Sequence, residues 1–249
     1  MNKNSFLGII PARYASTRFP GKPLIKMGDK TMIHRVYDQV SSVLDKTIVA
    51  TDDQRIFDEV KSFGGNVVMT SELHKSGTDR CHEAMLINGE KYDVVINIQG
   101  DEPFIQPEQI ELLKSCFEKS NTQIATLIKP FSPDEKWETL ANPNSPKVII
   151  NNKSEAIYFS RSVIPYIRGE EQANWAKRFT FYKHIGLYAY RADILSQITE
   201  LTQSSLEQAE SLEQNRWIEN GYSIQVAITN QETIGIDSPE DLELARKFF

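Results

Sequence analysis

Phe6-Leu7-Gly8-Ile9-Ile10-Pro11-Ala12-Arg13-Tyr14-Ala15-Ser16-Thr17-Arg18-Phe19-Pro20-Gly21-Lys22-Pro23-Leu24 is an apolar run that gives way to a basic stretch broken by prolines. Phe6 to Ile10 reads as a buried strand, and Pro11 to Leu24 as the loop that follows it. In a parallel sheet, the segment just past the carboxyl end of a strand is where ligands bind. The first twenty-eight residues hold Lys3, Arg13, Arg18, Lys22 and Lys26 and no carboxylate, in a chain of formal net charge −6. An acidic ligand is expected at this loop.

Outward from it, β-branched runs alternate with helical stripes. Leu7 to Ile10, Thr47 to Ala50, Val67 to Met69, Val94 to Ile98 and Ile124 to Ile128 read as strands. Between them, Met32, Ile33, Val36, Val40 and Val43 form one stripe at helical spacing, Ile56, Val60 and Phe63 a second, and Ile110, Leu113 and Phe117 a third that Pro107 opens. Such alternation predicts an α/β fold, a mostly parallel twisted sheet with helices on both faces. Beyond Lys129 the pattern changes: Val148 to Ile150 and Ala156 to Ser160 flank Asn151-Asn152-Lys153-Ser154 and read as a hairpin. Nine aromatic residues fall between Tyr158 and Tyr190, a density that suits a partner surface, a lid or a local core, with a homodimer contact the preferred reading. The expected organisation is one domain, 1–249, with an inserted antiparallel region at about 130–190. Helical pattern returns in Leu206 to Trp217, a strand in Ser223 to Ala227, and a last helix at Pro239 with Ser238 as its N-cap.

Composition narrows the function. With 249 residues, 40% of them hydrophobic, the chain can bury a sizeable core. No apolar stretch approaches the roughly 20 residues that span a bilayer, and Phe6 to Ile10 is too short for a signal-peptide core, so a cytoplasmic protein is expected, with no membrane partner. The acidic balance argues against a nucleic-acid partner. Cys81 and Cys116 read as small buried residues, and the four histidines show no paired metal-ligand spacing.

Arg13, Arg18 and Lys22, spaced five and four apart, can reach a triphosphate from a loop that wraps it: arginine forks over paired oxygens, and lysine supplies a point charge. No Walker motif is present, because Ser16 stands where its first glycine belongs and Pro23 follows Lys22. Val94 to Ile98 ends in Gln99-Gly100-Asp101-Glu102-Pro103, and a buried strand rarely ends in two acids for packing reasons. Mg2+ prefers one or two protein carboxylates with substrate phosphates and water, so Asp101 is the candidate ligand, Asp237 the second, and Glu102 structural. Gly100 is expected to let phosphates approach closely.

The Pro11 to Leu24 segment, the Gln99 to Pro103 turn, the Ser76-Gly77-Thr78-Asp79-Arg80 helix start and the Gly235 to Leu242 ending together resemble the 3-deoxy-manno-octulosonate (Kdo) cytidylyltransferases, over nearly the whole chain in order. The resemblance implies a nucleotide-diphospho-sugar transferase-like, Rossmann-like fold, a homodimer and a CTP-dependent transfer to the sugar acid Kdo for lipopolysaccharide biosynthesis. It implies that Arg13, Arg18 and Lys22 hold the triphosphate, that Asp101 and Asp237 hold magnesium, and that the base lies near Pro11, Ala12, Ser76, Thr78, Arg80 and Gln99. For the sugar it implies Gln99, Arg161, His184, Tyr188, Glu210 and Gln214. From the residues themselves, Arg161 and His184 suit a carboxylate, and Glu210 and Gln214, four apart on one expected helix face, suit hydroxyls. A glycosyltransferase would usually show Asp-x-Asp at the metal strand, where this chain has Gln99; a silent binding protein would need no combination of Lys22, Asp101 and Asp237.

Overall fold

The computed structural model describes residues 4–15, 19–231, 235–236 and 241–243. In chain order the elements are β1 (Phe6–Ala12), β2 (Lys26–Met27), β3 (Lys30–Thr31), α1 (Met32–Ser41), β4 (Lys46–Thr51), α2 (Gln54–Ser62), β5 (Val67–Met69), α3 (Gly77–Asn88), β6 (Val94–Asn97), α4 (Pro107–Ser115), β7 (Ile124–Pro130), α5 (Trp137–Leu140), β8 (Lys147–Ile150), β9 (Ala156–Ser160), α6 (Trp175–Arg178), β10 (Tyr182–Arg191), α7 (Ala192–Thr199), α8 (Ser205–Glu210), α9 (Glu213–Glu219) and β11 (Ile224–Ile228). They fall into two compact units: Met1–Lys114, Leu187–Thr199 and Thr233–Phe249 form the first, and Ser115–Gly186 and Glu200–Glu232 the second.

In the first unit β1 lies between β4 and β6, parallel to both, with Leu7 level with Lys46 and Phe6 level with Val94. β5 extends the parallel set beside β4, and the second half of β10 runs antiparallel to β6, Tyr188 opposite Asn97. Consecutive residues of β1, β4 and β6 are buried, which requires cover on both faces and explains why these strands read as continuous apolar runs instead of alternating ones. The fold class is the expected one, a mostly parallel sheet with helices on both sides. Met32, Ile33, Val36 and Val40 line the buried face of α1, and Ile56 and Val60 that of α2; Val43 and Phe63, which continue those stripes in the sequence, lie past the helix ends. Ile236 and Leu242 are buried with Met27 and Met32. Ser238 and Pro239 lie outside the described residues.

In the second unit β7 and β11 pair in parallel from Ile124 and Ile224. β8 and β9 form the expected hairpin, Lys147 opposite Ser160, and β8 also pairs with the start of β10. Part of the aromatic segment is core: Trp175 and Phe181 are buried with Leu140, and Trp137 meets Trp175 edge-on at 5.3 Å. Tyr166 is 73% exposed. One expectation fails here. Leu206 to Trp217 is not a single helix, because Ser211 adopts a left-handed φ of 51° that ends α8 and sets buried Leu212 as the N-cap of α9. Glu210 and Gln214 therefore stand on different helices.

Candidate active site

In the first unit the carboxyl ends of parallel strands surround a cavity lined by Pro11, Ala12 and Arg13 after β1, by Gln99, Gly100 and Asp101 after β6, and by His74 to Gly77 with Arg80 at the start of α3. Lys22 and Pro23 complete the lining. The basic loop is stitched at its ends: Gly21 N–H donates to the Tyr14 carbonyl at 2.9 Å, and Gly21 has a left-handed φ of 73°. A Cβ at Gly21 would stand 3.1 Å from the Tyr14 ring, so the position needs glycine for space as well as for its dihedral. The Arg55 guanidinium covers that ring at 3.3 Å from its centroid, and Asp53 grips Arg55 at 2.9 and 2.7 Å. Asp53 also caps α2, and its bonds from Arg55, led by the side-chain one, hold its pKa below the ordinary range.

Past Gly21 the chain makes a 3-10 turn, Lys22–Leu24, that buries Lys22 and sets its Nζ 2.6 Å from Asp101 Oδ2. These two residues, 79 apart in sequence, are the expected cation and acid brought together. Asp101 Oδ1 has no hydrogen-bond partner among the described residues, and the Asp101 carbonyl accepts from Ile236 N–H at 3.0 Å. Arg18 and Asp237 lie outside the described residues. Gly100 lines the cavity, and a Cβ there would stand 3.0 Å from the Pro11 carbonyl, so the glycine lets the Asp101 turn pack on the β1 backbone. Glu102 N–H closes the same turn onto Gln99 at 3.2 Å.

Ser76 caps α3, accepting from Asp79 N–H at 3.1 Å, and Thr78 is buried. Arg80, 4% exposed, donates to Asp52 Oδ2 and Thr70 Oγ1, both at 2.6 Å. The sequence reading passed over Asp52 and Thr70, although Thr51-Asp52-Asp53 repeats the signal that marked Asp101, acids at the end of a buried strand. It also passed over His74, whose Nε2 lies 2.5 Å from Glu83 Oε2, the same oxygen that takes Ser71 N–H at 2.7 Å. Burial opposes charge on Glu83, yet the bonds from Ser71 and His74 bring its pKa below the ordinary range.

Tyr188 also belongs to the first unit, 7% exposed and stacked on Tyr190 at 6.0 Å. The other four expected sugar residues belong to the second. Arg161 donates from Nε to the Glu210 carbonyl at 2.6 Å and from Nη2 to the Ser211 carbonyl at 3.3 Å, satisfying carbonyls that the end of α8 leaves open, and from Nη1 to the Pro143 carbonyl at 2.9 Å. Glu210 accepts from Ser160 Oγ at 2.6 Å, Arg161 N–H at 2.9 Å and Tyr158 at 3.2 Å. Burial would raise its pKa, but those three bonds together lower it. His184 meets Thr126 Oγ1 at 3.2 Å and packs edge-on to Phe159; burial pushes its pKa down to about 3, so near neutral pH it offers a neutral ring, not a cation. Gln214 is 5% exposed, and its Nε2 has no partner among the described residues. Next to it, Asn215 exchanges two bonds with the Phe159 backbone and holds α9 to β9.

The cytidylyltransferase family profile matches residues 7–230. A 3-deoxy-manno-octulosonate cytidylyltransferase of Parabacteroides distasonis is 66% identical over 98% of this chain and 97% of its own length. The chain belongs to the 3-deoxy-manno-octulosonate cytidylyltransferase family. A solved CMP:2-keto-3-deoxy-manno-octonic acid synthetase, complexed with CTP, superposes with a TM-score of 0.89 at 40% identity, covering 98% of each chain. A 4-diphosphocytidyl-2C-methyl-D-erythritol synthase from Anaerococcus prevotii shares the fold at a TM-score of 0.62 and 13% identity, over 99% of each chain. As a member of this cytidylyltransferase family the protein is a nucleotidyltransferase, and among its described residues no helix is long and apolar enough to cross a membrane.

Proposed function

We propose that this chain transfers the CMP group of CTP to Kdo, giving CMP-Kdo and pyrophosphate for lipopolysaccharide assembly. The observation that carries the reading is the Lys22–Asp101 pair, 2.6 Å apart on the wall of a cavity that Arg13 and Arg80 also line. A cation on a phosphate-sized loop and a carboxylate with one oxygen to spare are what a nucleoside triphosphate and its divalent ion require. The donor set at Asp101 fits Mg2+, a hard ion that takes oxygen ligands, and Asp237 is the proposed second ligand. Bound there, the ion supplies charge stabilisation to phosphate oxygens.

The chain's own groups do the rest. Lys22, Arg13 and Arg18 hold the phosphates and offset the charge that builds on the α-phosphate and on departing pyrophosphate. The anomeric hydroxyl of Kdo attacks the α-phosphorus in line, its phosphoanhydride bond to the β-phosphate breaking as the new phosphate ester forms, and the hydroxyl's proton passes to water. Holding both substrates side by side removes an entropic barrier that reaches roughly 7 to 11 kcal/mol in well-oriented reactions. Within the first unit, Gln99 and Tyr188 are proposed to face the sugar acid. The setting is the cytoplasm, where CTP is made, and the working form is a homodimer. Purified protein given CTP, Mg2+ and Kdo is expected to release pyrophosphate; release with the nine-carbon sialic acid and none with Kdo would overturn the substrate assignment.

A further inference from the structure

Two consecutive acids follow β4, and only one of them is accounted for by the helix it precedes. Asp53 caps α2 and grips Arg55. Asp52 turns to α3 instead, where its Oδ2 accepts from Arg80 Nη2 at 2.6 Å, with the two side chains 18% and 4% exposed. The other terminal nitrogen of Arg80 donates to Thr70 Oγ1 at 2.6 Å. Thr70 is itself fixed: its hydroxyl donates to the Thr51 carbonyl at 3.2 Å and its N–H to the same oxygen at 2.8 Å. Both acceptors therefore sit on the adjacent parallel strand ends of β4 and β5, and they pin both terminal nitrogens of the guanidinium.

We propose that Asp52, with Thr70, is a positioning residue that holds the Arg80 guanidinium in one plane at the wall of the cavity and thereby sets the preference for a cytosine over a uracil nucleotide. The inference rests on the proposed CTP-dependent reaction. A guanidinium carries five N–H donors and no acceptor. Asp52 and Thr70 take one each, leaving donors for a ligand in the cavity that Arg80 lines together with Ser76 and Gly77. Cytosine presents O2 and N3 as neighbouring acceptors, which a fixed fork of donors matches. Uracil presents an N3–H donor between two carbonyls, and a donor set against a donor is unpaired. A rigid fork enforces that difference, whereas a fork free to swing can move aside and meet a uracil carbonyl alone. Lysine at position 80 would lack the fork for the same reason.

The test compares kcat/KM for CTP and for UTP, with Kdo as acceptor, in the wild-type protein, Asp52→Asn, Asp52→Glu and Thr70→Val. The wild type must first release pyrophosphate from CTP; if it does not, the parent reading fails and the comparison is moot for that cause alone. Given activity, Asp52→Asn is expected to lower the CTP:UTP ratio about tenfold, chiefly through KM, because a neutral amide is the weaker partner of the pair. Thr70→Val should lower the ratio in the same direction, and Asp52→Glu should restore part of it. A purely structural ion pair predicts a fall in melting temperature or an equal loss toward both nucleotides. An unchanged ratio in Asp52→Asn, or in Thr70→Val where Asp52→Asn does not fold, would overturn the assignment.

Discussion

Lys147 is the fully buried lysine of β8, 0% exposed, and its Nζ donates to the Asn142 carbonyl at 3.0 Å. Burial pushes its pKa from 10.5 down to about 8, with Glu210 opposing that shift and Arg161 adding to it. Between pH 8 and 10.5 the unfolded chain keeps the proton that the folded chain has released, so stability rises with pH across that window. Below pH 8 both states are charged and the folded state carries the whole penalty, about 3 kcal/mol. Lys147→Met removes that penalty and keeps the volume, at the expense of one hydrogen bond worth about 1 kcal/mol. The variant is therefore expected to gain about 2 kcal/mol at pH 7 by urea denaturation, and its stability should lose the rise between pH 8 and 10.5 that the wild type shows. Parallel pH profiles for the two proteins would refute the reasoning, as would a variant less stable at pH 7 than its parent, which would mean that the ammonium's attraction to Glu210 outweighs its desolvation.

Three further outcomes follow from the same geometry. Asp101→Asn keeps a hydrogen-bond acceptor for Lys22 but loses the charge, so pyrophosphate release should fall by about 10²-fold or more with the far-UV circular dichroism unchanged. His184, with its folded pKa near 3 against 6.5 unfolded, binds fewer protons in the folded state across that interval, so its contribution is complete above pH 6.5 and falls away as the pH drops; relative to His184→Gln, the wild type should lose about 2 kcal/mol between pH 7.5 and 5 in equilibrium unfolding. Gly21→Ala meets both a left-handed φ of 73° and the Tyr14 ring, and is expected to lower stability by about 1 kcal/mol and raise KM for CTP, with Tyr14→Ala relieving part of the effect; strict additivity in that double-mutant cycle would count against the steric account.

β1, β4 and β6 are readable because their consecutive residues are buried, so each appears as a continuous apolar run with a turn after it; β5 spans Val67–Met69 as expected from its residues, although only Val67 of the three is buried. β10 was harder. Tyr182 to Arg191 alternates partners as well as side chains, antiparallel to β8 at one end and to β6 at the other, and its sequence reads as an aromatic cluster with no periodicity to separate strand from surface. The break at Ser211 was hidden because Leu206 to Trp217 keeps a helical composition throughout, while the cause of the break, a left-handed serine stabilised by Arg161 from fifty residues away, is tertiary. At the site, Lys22 and Asp101 were legible because charge is unusual at the end of a buried run. Asp52 carried the same mark and was missed because no basic loop accompanies it; its cation comes from a helix twenty-eight residues later.

Asp101, which lines the cavity, and Asp52, at the end of β4, are each held by a cation that lines it, but the two pairs are built differently. Arg80 is gripped by two acceptors whose backbones belong to neighbouring strands, and it is almost wholly buried, so its direction is settled by the fold. Asp101, by contrast, is 32% exposed on its side chain, and Lys22 reaches it from a turn whose conformation depends on one glycine. On the proposed reaction, phosphates that enter the cavity compete with Asp101 for the buried Lys22 ammonium, and the more exposed carboxylate is the side from which that exchange would start. A buried pair resists the same exchange, because breaking it strands a charge in a low-dielectric setting. On the proposed function, the cavity combines a cation fixed by the fold, Arg80, for the base with a second, Lys22, whose acid partner is open to solvent, for the triphosphate.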